Sequence, residues 1–302
     1  NKNAQKLYLS TGFQFIHLTS KQCQMVYKIR YLPSSITETS IEEHPRLLST
    51  LDLKIDLKIK RDDLYPMSGG GIKARKIEYI MHDLINEGCD VIVTNGGPQS
   101  NHARASAISA AQLGIKCHLI IVMEPNTTYQ NSGNIMLMQL SGATIEFCLK
   151  EQLSEKMDNA IKHYENKGYK PKYIWGGGHW LAGTLAFVDA AKNAQNQMKN
   201  WQPDYMVAAS ATGSTQAGFA IGFNNSRTKV IGISVARDKL RGEKIVHECI
   251  SDYFKTISYN NLKDKDIIVD FNDNWTCGGY EKTTPELIEI VELAAKAGIF
   301  VD

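Results

Sequence analysis

Residues 90–114, DVIVTNGGPQSNHARASAISAAQLG, read as a single strand–turn–helix unit. The apolar, β-branched run Val91–Val93 ends at Asn95-Gly96-Gly97, the pattern of a buried strand entering a glycine turn. Ser100 or Asn101 then stands where a helix needs a side-chain acceptor for its first free N–H groups. The alanine-rich stretch that follows stops at Gly114, a residue suited to the left-handed conformation that ends helices.

The same cycle repeats on both sides. Upstream, LKIDLKIK (53–60) predicts a strand, and ARKIEYIMHDLINEG (74–88) places Ile77, Ile80, Met81, Leu84 and Ile85 on one helical stripe. Downstream, strands are predicted at KCHLIIV (116–122), TIEFC (144–148), YIW (173–175), YMVAAS (205–210) and KVIGISVA (229–236). Helices are predicted between them, at NSGNIMLMQLSG (131–142), 153–168, after Gly178 and after ATGSTQAG (211–218). TPELIEIVELAAKAG (284–298) predicts a last helix feeding a strand IFVD. Strands alternating with helices imply parallel sheet covered on both faces, with ligands at the carboxyl ends of the strands. Three glycine or small-residue turns fall there: 95–97, 176–178 and 211–218.

Composition narrows the function. The 302 residues carry a net charge of +2 with the lysines dispersed, so no basic field points to nucleic acid. No apolar run approaches the roughly 18–20 residues of a membrane helix, and the expectation is a soluble, cytoplasmic protein with no membrane partner. Six cysteines without metal-finger spacing predict reduced structural thiols and no metal site.

Three turns carry candidate chemistry. In GGGIKARKIE (69–78), Lys73 follows a glycine turn at a helix start, where an apolar pocket would favour a neutral amine able to attack a carbonyl. Alone, this is also the pattern of a surface lysine. In GGPQSNHAR (96–104), Ser100 and Asn101 suit a carboxylate at a helix N-terminus, and a plain helix cap has the same sequence. His102 is a candidate base or a hydrogen-bonded structural histidine. In ATGSTQAG, Thr212, Gly213, Ser214 and Thr215 offer backbone N–H groups and hydroxyls to a compact phosphate, without the Gly-Lys-Ser/Thr ending of a nucleotide loop or the spacing of a dinucleotide turn.

Taken in order, IKRDDL, GGIKARKIEY, GGPQSNHAR, GATIEF and ATGSTQAG resemble the fold-type-II pyridoxal-phosphate family that contains 1-aminocyclopropane-1-carboxylate deaminase and D-cysteine desulfhydrase, over about four fifths of the chain. The resemblance implies a two-lobed α/β fold of the tryptophan synthase β kind, pyridoxal 5'-phosphate as cofactor, a small amino acid as substrate, and a homodimer. It implies that Lys73 carries the cofactor as a Schiff base and that Lys76 contacts its phosphate. Ser100, Asn101 and His102 would meet substrate, with Asn101 also touching cofactor. Thr212 to Thr215 would hold the phosphate, and Tyr280 in GGYEKTTPE (278–286) would act at the substrate.

The chain departs from the family at Ile72, where Asn precedes the lysine, and at Glu124-Pro125-Asn126, where deaminases carry Glu-Asn-Trp. Ser-Asn-His follows the desulfhydrases rather than the Ser-Asn-Gln of the deaminases. The expectation is therefore a deaminating lyase working by β-elimination to a 2-oxo acid and ammonia. The alternatives are cyclopropane ring opening, β-replacement, or a weakly active cofactor-binding module. Residues 1–30, with NAQKLYLSTGFQFI and CQMVYKIR, resemble the closing segment of a GCN5-related N-acetyltransferase, and 31–40 resemble a linker to the cofactor domain at 41–302. Together with the stop at Asp302, short of the family's partner to the pyridine nitrogen, this predicts an internal piece of a longer polypeptide.

Overall fold

The computed structural model describes residues 38–66, 68–124, 130–256 and 264–301. The acetyltransferase-like segment and most of the linker lie outside them. All described residues fall in one compact unit, Ile36–Asp302.

Two parallel sheets form its frame. The first has the order β5-β4-β3-β6: β3 (Val91–Gly96) at the centre pairs with β4 (Lys116–Val122) and β6 (Pro171–Tyr173), and β5 (Thr144–Cys148) lies at the edge. The second has β7 (Tyr205–Ser210), β8 (Lys229–Ser234) and β9 (Asp270–Asn272) side by side. A separate antiparallel pair joins β1 (Ile41–Glu43) to β2 (Lys58–Lys60).

Helices α1 (Pro45–Thr50), α2 (Gly71–Asn86), α3 (Asn101–Leu113), α4 (Asn134–Leu140) and α5 (Leu153–Glu165) precede α6 (Leu181–Met198), α7 (Ser214–Phe223), α8 (Lys239–Thr256) and α9 (Pro285–Lys296). The two lobes meet through α2, which packs on α3 of the first lobe and on α6 of the second. Its apolar stripe, including Ile77, Ile80, Met81 and Leu84, is buried in the first core. Small residues bring α6 and α7 close together. A Cβ on Gly218 would lie 2.5 Å from that of Phe187, so a side chain there would push the helices apart.

The start of α2 is fixed by a buried ion pair. Arg75 donates to both carboxylate oxygens of Asp62, at 2.9 and 2.8 Å, and Thr39 donates to the same carboxylate at 2.7 Å. The guanidinium also stacks over the Tyr65 ring at 4.3 Å. Paired and hydrogen-bonded on all sides, these charges tolerate burial that would be costly for either one alone.

Several expected strands are corrected. Of 53–60 only Lys58–Lys60 is strand, because its partner β1 is three residues long; Leu53 and Ile55 are exposed. The strand expected at 173–175 is Pro171–Tyr173, and the chain leaves the sheet where the glycine turn begins. Ile299–Val301 form no strand, having no ladder partner among the described residues, although Ile299 packs with Leu47 and Ala294. The short β1 and β9 carry no alternation long enough to be read in advance.

Candidate active site

The glycine and small-residue turns converge. At the opening of α2, Lys73 is half-buried and Lys76 fully buried. The Lys76 ammonium reaches the Gly177 carbonyl at 3.5 Å and lies 5.8 Å above the Phe187 ring. Gly178 admits the lysine stem, since a Cβ there would sit 3.3 Å from Lys76 Cδ. Burial holds the Lys76 pKa well below the ordinary lysine value, and the nearby Lys73 charge lowers it further. A buried ammonium beside a second lysine is suited to an anion brought in from outside.

Across the glycine turn lies the start of α7. Its Thr212 hydroxyl donates to the Gly177 carbonyl at 3.3 Å, and that of Ser214 to the Gly178 carbonyl at 3.3 Å. Both hydroxyls thus brace the loop. Gly213, at φ +84°, is the helix N-cap and offers no side chain to the helix's first N–H groups. A Cβ at Gly213 would lie 2.9 Å from the Ile245 carbonyl oxygen. Arg237 ties the loop from behind, donating to the Ala211 carbonyl at 2.7 Å. So does His179, whose Nδ1 donates to the Thr212 carbonyl at 2.8 Å. Cys249 lies against the same carbonyl, and burial pushes its thiol up to about 12. Ser210, at the end of β7, keeps a buried hydroxyl oxygen with no hydrogen-bond partner.

The third turn begins α3. Ser100 is its N-cap, accepting the Ala103 N–H at 3.2 Å, so the hydroxyl hydrogen remains to be donated elsewhere. Gly96 makes room for it, because a Cβ there would sit 2.5 Å from Ser100 Oγ. The Asn101 carbonyl oxygen accepts from Arg104 at 3.0 Å and from Asn134 at 2.8 Å, which fixes which way its amide faces. Arg104 also donates to the Gly70 carbonyl at 3.1 Å, joining the lysine turn to the Ser-Asn turn.

His102 is buried behind the loop. Thr94 donates its hydroxyl to the Ile174 carbonyl at 2.7 Å and therefore accepts from His102 Nε2 at 2.8 Å. This leaves His102 Nδ1 as a bare, buried acceptor. Burial, with Lys73 and Lys76 nearby, lowers the His102 pKa to about 3, so the ring is neutral.

Tyr280 is 62% exposed. Its loop approaches the Ser-Asn turn through Glu281, whose Oε1 is 3.7 Å from the Cβ position of Gly97. At Ile72, where the family has Asn, the side chain packs with Ala186 and Phe187 in the second core.

Arg104, Thr94, Arg237, His179 and Glu281 were not singled out from sequence. Arg104 had a signal, since it lies three residues after Asn101 on the same helical face. The others come from distant segments, and no spacing rule pairs them.

A buried lysine with a half-buried one beside it, facing an uncapped helix start in a two-lobed parallel-sheet fold, defines a site for a phosphate-bearing carbonyl cofactor. The chain belongs to the pyridoxal-phosphate dependent enzyme family, whose model matches residues 32–302. It is 31% identical to a 1-aminocyclopropane-1-carboxylate deaminase of Rhizobium leguminosarum bv. viciae over 287 residues, covering 90% of this chain and 84% of that protein. It is 34% identical to a D-cysteine desulfhydrase of Klebsiella pneumoniae (strain 342) over 206 residues, covering 66% of this chain and 62% of the relative. Among solved structures, an ACC deaminase homologue matches with a TM-score of 0.78 at 26% identity, over 89% of this chain and 81% of that one.

The residues fit the cofactor. Among the described residues no carboxylate pairs with Lys76, no side chain caps the helix start at Gly213, and Ser210 keeps a buried hydroxyl oxygen without a hydrogen-bond partner. No described helix is long and apolar enough to cross a membrane.

Proposed function

We propose that this chain is a deaminating lyase that removes a β-substituent from a small amino acid, giving a 2-oxo acid and ammonia. The observation that carries this reading is the meeting of two different helix starts at one lysine turn. One is braced to hold a phosphate, and the other is capped by a serine whose hydroxyl proton is still available.

Bound pyridoxal phosphate supplies an electron sink for charge developing at the substrate Cα. Lys76 and the N–H groups of Gly213, Ser214 and Thr215 hold the phosphate. Lys73 is the point of covalent attachment, and its amine, once released, carries the proton at Cα. The Ser100 hydroxyl and the Asn101 amide bind the substrate carboxylate, with Arg104 and Asn134 setting the Asn101 orientation. His102, neutral and buried, supports the turn from behind without bringing a third positive charge beside the two lysines. Tyr280 orients the substrate side chain from the solvent side. The Ser-Asn-His order and Glu124-Pro125-Asn126 favour elimination over cyclopropane ring opening. By likeness to its family the enzyme works as a cytoplasmic homodimer.

The test is a panel of D- and L-amino acids and 1-aminocyclopropane-1-carboxylate, read by absorption and by 2-oxo acid release. A β-substituted amino acid such as cysteine should turn over fastest. Fastest release from the cyclopropane, or none from any compound, overturns the reading. Trapping with added thiol separates replacement from elimination. Borohydride reduction and peptide mapping should label Lys73, and a label on Lys76 refutes that assignment.

A further inference from the structure

Gln99, the residue before the N-cap of α3, is exposed, where a glutamine ordinarily keeps its rotamer freedom in water. Here both ends of its amide are held by one segment that comes 33 to 35 residues later. Its Nε2 donates to the Ser132 carbonyl at 2.9 Å, and its Oε1 accepts the Asn134 backbone N–H at 3.0 Å. Asn134 returns the contact, its Nδ2 donating to the Gln99 backbone carbonyl at 2.7 Å. Gly133, at φ +62°, makes room for the glutamine, since a Cβ there would sit 2.5 Å from Gln99 Oε1.

Docking α4 does not require this clasp. Ile135 and Met138 are fully buried and anchor that helix in the first core. The clasp instead decides where the Asn134 side chain points. Its Nδ2 has two hydrogens, and the second goes to Asn101 Oδ1 at 2.8 Å. Its Oδ1 accepts from Arg104 at 3.3 Å, so both ends of the Asn134 amide are engaged and cannot be exchanged. With Asn101 Oδ1 taken by Asn134 and Arg104, the NH2 end of the Asn101 amide is the end turned away from them.

We infer that Gln99 is a positioning residue for recognition of the substrate carboxylate, acting through Asn134 on the Asn101 amide. This role depends on Ser100 and Asn101 binding the carboxylate, the function proposed for that turn. A neutral amide suits the position because it must donate to one backbone group and accept from another at once. An ionised glutamate could only accept, and it would set a negative charge beside the Ser132 carbonyl and at the edge of a turn meant for an anion.

The experiment compares two amines on the cofactor-loaded enzyme. One is alanine, as both stereoisomers, which has no β-substituent to lose. The other is ethylamine, the same molecule without its carboxylate. Binding is read from the shift in cofactor absorbance. Wild type should bind the better alanine isomer about tenfold or more tighter than ethylamine. Gln99→Met keeps the side-chain length and can make neither bond; its alanine affinity should fall about tenfold while its ethylamine affinity stays at the wild-type value. Gly133→Ala, which displaces the Gln99 amide and leaves Ser100, Asn101 and Asn134 unchanged in sequence, should lose the same discrimination. If both variants keep the wild-type preference for alanine, Gln99 does not position the turn and the inference is overturned. If both variants weaken the two amines equally, the clasp only supports the fold, which overturns it as well. If wild type itself does not distinguish the amines, the carboxylate role of Ser100 and Asn101 fails first, and that of Gln99 with it.

Discussion

Helices α3 and α7 both start at the carboxyl end of a parallel strand, yet they start differently. At α3 the Ser100 side chain accepts a backbone N–H, so the helix is closed by its own sequence and presents side chains to a ligand. At α7 the N-cap is Gly213, in the left-handed region, and no side chain covers the N–H groups. A free helix start carries a partial positive charge, which favours a phosphate, and a capped one leaves recognition to the geometry of its side chains. On the proposed function, the two turns would divide one site into an electrostatic half and a directional half.

The sharpest way to break this contrast is Gly213→Val. The φ of +84° is strained for a β-branched residue, by on the order of 1–3 kcal/mol, and the side chain would meet the Ile245 carbonyl. Cofactor retention should fall about tenfold or more, measured by absorbance after dialysis. Retention at the wild-type level would show that the uncapped start does not hold the phosphate.

A pH titration tests the capped start. The folded pKa of His102, about 3, lies below its unfolded value of 6.5, so between those values the unfolded chain binds the extra proton. The stability this histidine contributes is complete above pH 6.5 and is lost as pH falls toward 3, with a slope of at most about 1.4 kcal/mol per pH unit. Denaturant melts of His102→Gln should show a shallower acid limb than wild type. Identical limbs would mean the imidazole is not held neutral.

Ser100→Ala gives the smallest stability effect, about 1 kcal/mol for a lost N-cap. Turnover should fall with cofactor absorbance intact. If this variant loses cofactor as readily as Gly213→Val does, the division between the two turns is wrong.

The half of the site that is local in sequence could be read from it. Ser100 and Gly114 bracket α3 because a cap and a left-handed stop are determined by a few neighbouring residues, and Gly114 does adopt φ +70°. Lys73 and Lys76 lie three apart on one helix, but Lys76 is pointed to by the family resemblance and not by its spacing. The bracing of the phosphate loop could not be read in advance. The Thr212 and Ser214 hydroxyls turn to carbonyls at 177 and 178, and Arg237 to that of Ala211, through contacts that exist only once two sheets are packed together. LKIDLKIK alternates like a strand, but pairing stops where the three residues of β1 end.

The cysteine behind the phosphate loop has a consequence for redox chemistry. Disulfide exchange requires a thiolate, and Cys249, with its pKa pushed up to about 12, is almost entirely protonated at neutral pH. It is also only 5% exposed. The loop beside Cys249 is therefore kept out of mixed-disulfide formation. Dinitrothiobenzoate should modify Cys249 only as fast as the fold opens, and the cofactor should be lost at that same rate.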